Sequence, residues 1–202
     1  MYSKTSGLVL GFHGCDKSIR DKVINGGSLT KSNNSYDWLG SGIYFWENDP
    51  YRAKEWAVEL SKRSNSSIKE PSVVGAVIDL GFCLNMMNRH NTDYVKMCYD
   101  YLLRHYEKFK EDLPQNKNIG NNKDLLLRYL DCAVINAALF ISSTEEQYCP
   151  YDTVRGLFVE GDPIYPNAGF TEKTHVQISV INPNCIKGYF LPREIDPNYP
   201  NP

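Results

Sequence analysis

Hydrophobic positions alternate in short runs toward both ends of the chain and recur at helical spacing in between. Residues 8–13, LVLGFH, predict a first strand that ends at His13-Gly14. Asp16 is placed to cap a short helix carrying Ile19, Val23 and Ile24, which Gly26-Gly27 ends. Residues 28–37 are a polar loop, suited to lie over a pocket. The stretch Trp38 to Ala57, WLGSGIYFWENDPYRAKEWA, then runs from a glycine-hinged turn into a short aromatic strand and on into a helix. Ile43 to Trp46 are strand formers whose side chains alternate between faces. Asn48 or Asp49 is the expected cap, with Pro50 in the first helical position and Ala53, Trp56, Ala57 and Leu60 at helical spacing. On pattern alone, a core strand followed by an amphipathic helix accounts for this stretch.

Beyond a polar linker at 61–71, residues 73–80 predict a central strand. The next block changes character. Asn91 to Lys110 sets Tyr94, Cys98, Tyr101, Leu102, His105 and Phe109 on one helical face. After the polar loop 115–123, Asp124 to Ile141 does the same with Leu126, Leu130, Ala133, Val134, Ala137 and Ile141. These two helices read as a hairpin inserted at about 89–147 in an otherwise strand-rich single domain, with structural support its expected role. Strands return at Tyr151–Glu160, Thr174–Val180 and Cys185–Leu191. In the second of these, Val176, Ile178 and Val180 alternate with His175, Gln177 and Ser179.

A length of 202 residues suits one α+β domain. The net charge of −2 provides no global field to hold nucleic acid, so a protein partner is favoured over a nucleic acid. The six cysteines form no C-x-x-C pair and no ligand-like spacing with the four histidines, which predicts reduced thiols and no metal site. No apolar run is long enough for a secretory leader or a membrane span. The expectation is a cytoplasmic protein without membrane contact; one delivered into a target cell without a leader would look the same.

His13-Gly14, the G-S-G-I-Y-F of residues 40–45 followed by a helix with Ala53, and V-Q-I-S-V…I-K-G-Y-F-L near the end stand in an order that resembles the ADP-ribosyltransferase fold. The match is to the branch with a His-Tyr-Glu signature, which includes poly(ADP-ribose) polymerase catalytic domains and diphtheria-toxin-like enzymes. The chain resembles more closely still a group of small bacterial domains of that fold. Those share the tryptophan-bearing helix and a YD-x-V-x-G strand, here Tyr151 to Gly156.

The resemblance implies a split β-sandwich with NAD, a co-substrate, in a cleft between two sheets, and no metal. It implies that the Gly14 backbone bonds the nicotinamide carboxamide and that His13 bonds the adenosine-side ribose. Tyr44 would stack on the nicotinamide ring, with Trp56 as a second wall, Gly42 beside the cofactor and Arg155 as a candidate phosphate contact. The family's glutamate, which bonds the ribose 2′-hydroxyl, falls on Gln177. Glutamine accepts that bond but carries no charge and cannot act as a base. Polymer elongation is therefore disfavoured, and a single transfer or NAD hydrolysis favoured. Glu172, Glu160 and His175 are alternative acceptor-activating groups. Plain structural roles compete throughout: a strand-end His13, a core Tyr44, solvated glutamates, an ion-paired Arg155.

The implied activity is mono-ADP-ribosyl transfer to a macromolecular acceptor with release of nicotinamide, in a toxin, effector or defence component. A toxin of this kind would have a neutralising partner, met by the hairpin or by the loop 160–172. A catalytically silent NAD-binding or protein-interaction module is the alternative. A phosphate-removing transferase on the same fold would want more arginines and histidines near the pocket than the pattern offers.

Overall fold

A computed structural model describes residues 7–119 and 124–200. Within them the chain is a mixed α+β protein: β1 (Leu8–Asp16), α1 (Lys17–Ile24), β2 (Ile43–Glu47), α2 (Pro50–Ser61), β3 (Pro71–Asp79), β4 (Cys83–Asn85), α3 (Arg89–Phe109), α4 (Tyr129–Thr144), β5 (Thr153–Phe158), β6 (His175–Val180) and β7 (Ile186–Phe190). The strands form one seven-stranded sheet in the order β4-β5-β6-β2-β1-β3-β7. Every neighbouring pair is antiparallel except β4 and β5. The alternation expected along β6 is realised, and the short β4 is an element that the pattern did not announce.

Local chemistry explains the element ends. Asp16 accepts from the Ser18 amide at 2.9 Å and starts α1. Asp49, not Asn48, accepts from the Arg52 amide at 2.8 Å and starts α2, with Pro50 first in the helix. The second helix of the hairpin starts at Tyr129 rather than Asp124, because its cap arrives from a distant loop. The Asn116 Oδ1 accepts from the Leu130 and Asp131 amides at 2.9 and 3.2 Å. Residues 120–123 of the polar loop before it lie outside the described residues, as do residues 1–6 and 201–202.

Each face of the sheet carries its own core. On one, Phe45, Val74, Ile78, Leu80, Ile178 and Val180 are buried beneath Val23 of α1 and Leu29. On the other, α2 covers Phe12 and Trp46 with Ala53, and the α3/α4 hairpin covers Leu84, Val154 and Phe158 with Cys98, Ile135 and Ala138. The hairpin is thus half of one layer. Its predicted stripes need two corrections. On α3 only the first half is covered, with Cys98 buried but Tyr101 and Phe109 exposed, since α4 is the shorter helix. On α4 the buried residues are Cys132, Val134, Ile135, Ala138 and Ser142, so Val134 of the predicted stripe is buried while Ala133, Ala137 and Ile141 are only partly covered.

The tightest contact between layers is at Gly14. A methyl group placed there would lie 2.1 Å from the Ala53 carbonyl oxygen and 3.2 Å from the Ala57 Cβ, so the α2 backbone rests directly on β1. Gly14→Ala is expected to push α2 off the sheet and to destabilise the protein by about 3 kcal/mol. Gly188→Ala, with nothing within 4 Å of the added methyl, should stay within about 0.5 kcal/mol of the parent. Denaturant titrations of the two variants side by side measure the difference.

Candidate functional site

The sheet is thinnest where β1 meets β2. Nine register pairs join β1 to β3, whereas β1 and β2 share only Gly11–Glu47 and Phe12–Trp46. Two flanking bonds define which way the peptide groups point. The Asn48 amide donates to the Leu10 carbonyl at 2.9 Å, and the Lys17 amide donates to the Glu70 carbonyl at 2.8 Å, on the β3 side. Even-numbered residues of β1 therefore aim N–H and C=O toward β2. Past Phe12–Trp46 the strands part, and this alternation turns the peptide groups of Gly14 and Tyr44 into the gap.

His13 closes part of the gap. Its Nδ1 lies 2.7 Å from the Tyr44 carbonyl oxygen, so Nδ1 carries the proton and donates. Burial lowers the pKa of His13 below the ordinary 6.5, partly offset by this bond, and the ring is neutral. The Tyr44 hydroxyl accepts from the Leu39 amide at 2.8 Å and donates to the Gly40 carbonyl at 2.6 Å, pinning the turn before β2. Burial pushes this hydroxyl's pKa up, and it stays protonated.

Register then separates the expected site residues. Tyr44 lies opposite Ser179 and Trp46 opposite Gln177, so these four share one face with His175. His13 pairs with Val74 and sets its ring 5.8 Å from Phe45, on the other face. His13 and Tyr44 are joined through a backbone carbonyl, not side by side in one pocket. Arg155, opposite Ile178, is also on the His13 face, where Nε and Nη2 bond the Glu47 carboxylate at 2.5 and 2.8 Å. The ion-paired reading of Arg155 replaces the phosphate contact, because both carboxylate oxygens already hold its fork. Gly42 is explained by packing: a methyl group there would meet the Ser179 Oγ at 2.1 Å, and its peptide groups bond Ser32 in both directions.

On the Tyr44 face the sheet and α2 enclose a polar cluster. Arg52 donates to Glu160 and Glu55, both at 3.1 Å. His175 Nδ1 donates to the Lys173 carbonyl at 2.6 Å and lies 3.5 Å from the Glu160 carboxylate. The His175 ring packs among Trp38, Trp46 and Phe158, and burial lowers its pKa despite Glu160 and the Lys173 carbonyl. It is neutral, with its Nε2 lone pair unused. The buried atoms Trp46 Nε1, Arg52 Nε, His175 Nε2 and Ser179 Oγ have no hydrogen-bond partner among the described residues. The Gln177 carboxamide shares this face, 9% exposed and without a hydrogen bond among the described residues. Trp56 packs on Trp46 with ring centres 5.4 Å apart. Glu172 is exposed on its loop, so Glu160 rather than Glu172 is the carboxylate gathered with His175 and Gln177.

Two members of this cluster went unnoticed in the sequence, and each had a signal. Trp46 shares the strand face of Tyr44, two residues on. Arg52 stands one helical turn before Trp56. Among the described residues no group of three or more His, Cys, Asp or Glu is placed to hold a metal, and no helix is long and apolar enough to cross a membrane.

Comparison with known proteins adds one relative, an uncharacterised protein of Methanocaldococcus jannaschii, 28% identical over 67 residues. The match covers 33% of this chain and 31% of that protein, so the chain spans about a third of its relative's length. No family model matches the chain. No solved structure matches it.

The buried Arg52–Glu160 pair is expected to behave as a unit. Glu160→Gln should cost about 1–3 kcal/mol, since Arg52 loses one of its two carboxylates and keeps Glu55, while the joint replacement Arg52→Met with Glu160→Leu should cost less, as read by denaturant midpoints. The histidines set a pH dependence. His13 and His175 stay neutral in the folded state, whereas the unfolded chain binds protons below pH 6.5. Stability should therefore fall as pH drops through 6.5, by up to about 1.4 kcal/mol per pH unit for each histidine. His175→Gln should flatten that slope in thermal melts between pH 7 and pH 5.

Proposed function

We propose that the chain is an NAD-dependent mono-ADP-ribosyltransferase, with the parting of β1 from β2 as its dinucleotide site. One observation carries the reading: past Phe12–Trp46 the Gly14 peptide loses its β2 partner, on a sheet that also carries an unpaired Gln177 carboxamide and unpartnered indole and imidazole nitrogens. A ligand rich in amide and hydroxyl groups would satisfy such groups, and NAD fits that description. In this reading the Gly14 peptide takes the nicotinamide carboxamide, and the Tyr44 ring and the Trp46–Trp56 pair offer aromatic walls. Gln177 meets a ribose hydroxyl. The split-sandwich form of the fold belongs to the same proposal and rests on the short β1–β2 seam.

In the transfer, the bond between the ribose and the nicotinamide nitrogen breaks with its electron pair going to nicotinamide. The acceptor's nucleophile bonds the ribose carbon and loses a proton. Positioning and electrostatic complementarity are the protein's share. Glutamine cannot take the proton; the His175 Nε2 lone pair, backed by the Nδ1 bond to Lys173, is the basic group nearest in register to Gln177. A second reading, a silent NAD-binding module, is favoured by the uncharged Gln177.

Nicotinamide release from labelled NAD, with cell lysate as acceptor, separates the two. The transferase reading expects label on a macromolecule and a loss of about 10²–10³ in rate for Gln177→Ala, the effect of removing one transition-state hydrogen bond. NAD binding measured by calorimetry without release would establish the silent module, and neither binding nor release would overturn both readings.

A further inference from the structure

We propose that the open cleft between α3, α4 and β5 is a binding site for a small amphipathic carboxylate, with a hydrocarbon body and one anionic end. The cleft has a volume of about 480 Å³, which suits a small molecule and not a peptide segment or a partner helix. Successive turns of α3 contribute Val95 and Tyr99, α4 contributes Val134 and Ile135, and Trp38 and Phe158 close it from the sheet side. These walls are largely apolar, so water gains few hydrogen bonds inside and a hydrocarbon body is the favoured occupant.

The charged groups on the lining are Lys96, Arg128 and Asp131. Arg128 is held in place: its Nε donates to the Leu125 carbonyl at 3.0 Å, its Nη1 lies 3.4 Å from Asp131, and its guanidinium sits 4.3 Å from the Trp38 ring centre. Asp131 is occupied by Arg128 and by the Asn116 amide at 2.9 Å. Lys96 is exposed and forms no ion pair among the described residues. The lining thus carries one positive charge in excess, on a flexible stem one turn from Thr92 and Tyr99. An anion entering tail first would meet Lys96 with its charged end and gain a charge-assisted hydrogen bond. A cation would be repelled, and a neutral hydrocarbon would forgo that bond.

Trp38 and Phe158 also pack on His175, so an occupant would press on the wall that backs the polar cluster. The assignment does not depend on the transferase reading, since it rests on the hairpin, β5 and Trp38 and uses none of the groups assigned to NAD.

The test is a fluorescence titration of the purified chain with 8-anilinonaphthalene-1-sulfonate, an aromatic anion of the required kind, followed by displacement with decanoate and with decanol. Saturable one-to-one binding is expected, with decanoate displacing the probe and decanol weaker by about tenfold. Lys96→Glu, at an exposed position that leaves folding intact, should weaken decanoate by tenfold or more, and Val134→Trp should abolish binding by filling the cleft. Equal displacement by decanol and decanoate, or wild-type binding in Lys96→Glu, would overturn the proposal. Lack of probe binding to a protein with a cooperative melt would overturn it as well. Nicotinamide release plays no part in this readout, so either proposal can fail alone.

Discussion

A buried peptide carbonyl must find a donor, and where β1 leaves β2 that requirement organises the surroundings. The ladder stops after Phe12–Trp46, and the Tyr44 carbonyl is taken by an imidazole in place of a strand. The parting is stable because each strand is held on its other side, β1 by nine pairs to β3 and β2 by four pairs to β6. Ser32 closes the far end of the opening by bonding Gly42. A sheet that opens at its centre is costly in lost hydrogen bonds, and such openings are retained where something else supplies the partners.

The second constraint is the approach of α2 to Gly14. Backbone contact at that glycine brings the helix close enough for Arg52 and Trp56 to reach the face of β2 and β6. Arg52 then meets Glu160, which comes from the far end of β5, and the pair is desolvated with His175 beside it. Buried charges of this kind contribute little net stability compared with apolar packing. Beside them lie the Trp46 Nε1, His175 Nε2 and Ser179 Oγ atoms, buried and without partners among the described residues. Arg155 and Glu47 are the contrast: a fully satisfied pair on the opposite face, with nothing left over for a ligand.

Much of the fold could be read from pattern. The first strand, the Asp16 cap, the strand-to-helix passage through Pro50 and the alternation of β6 are all local properties, and each is present, although β1 runs past the expected end at His13-Gly14 to Asp16 because β3 keeps pairing with it. The hairpin was legible in outline but not in detail. Its second helix begins late because Asn116, remote in sequence, supplies the cap, and its buried residues depart from the expected stripe because the sheet behind it, not its own periodicity, decides which side is covered. Of the site, His175 and Gln177 were legible as sharing a face from the alternation of β6, whereas only register set Tyr44 on that face. The partner of Arg155 was not, since Glu47 lies 108 residues away and only register brings the two together.

The chain alone determined its elements, its caps and the two faces of each strand, because those follow from side-chain periodicity and from hydrogen bonds between near neighbours. Tertiary structure alone decided that His13 and Tyr44 leave opposite faces, that Glu160 and not Glu172 joins His175, and that Arg155 is spent on Glu47. These outcomes depend on strand order and register, where a shift of one residue reverses every face. Such pairings are selected by the summed packing of both cores, a quantity that no short stretch of the sequence carries.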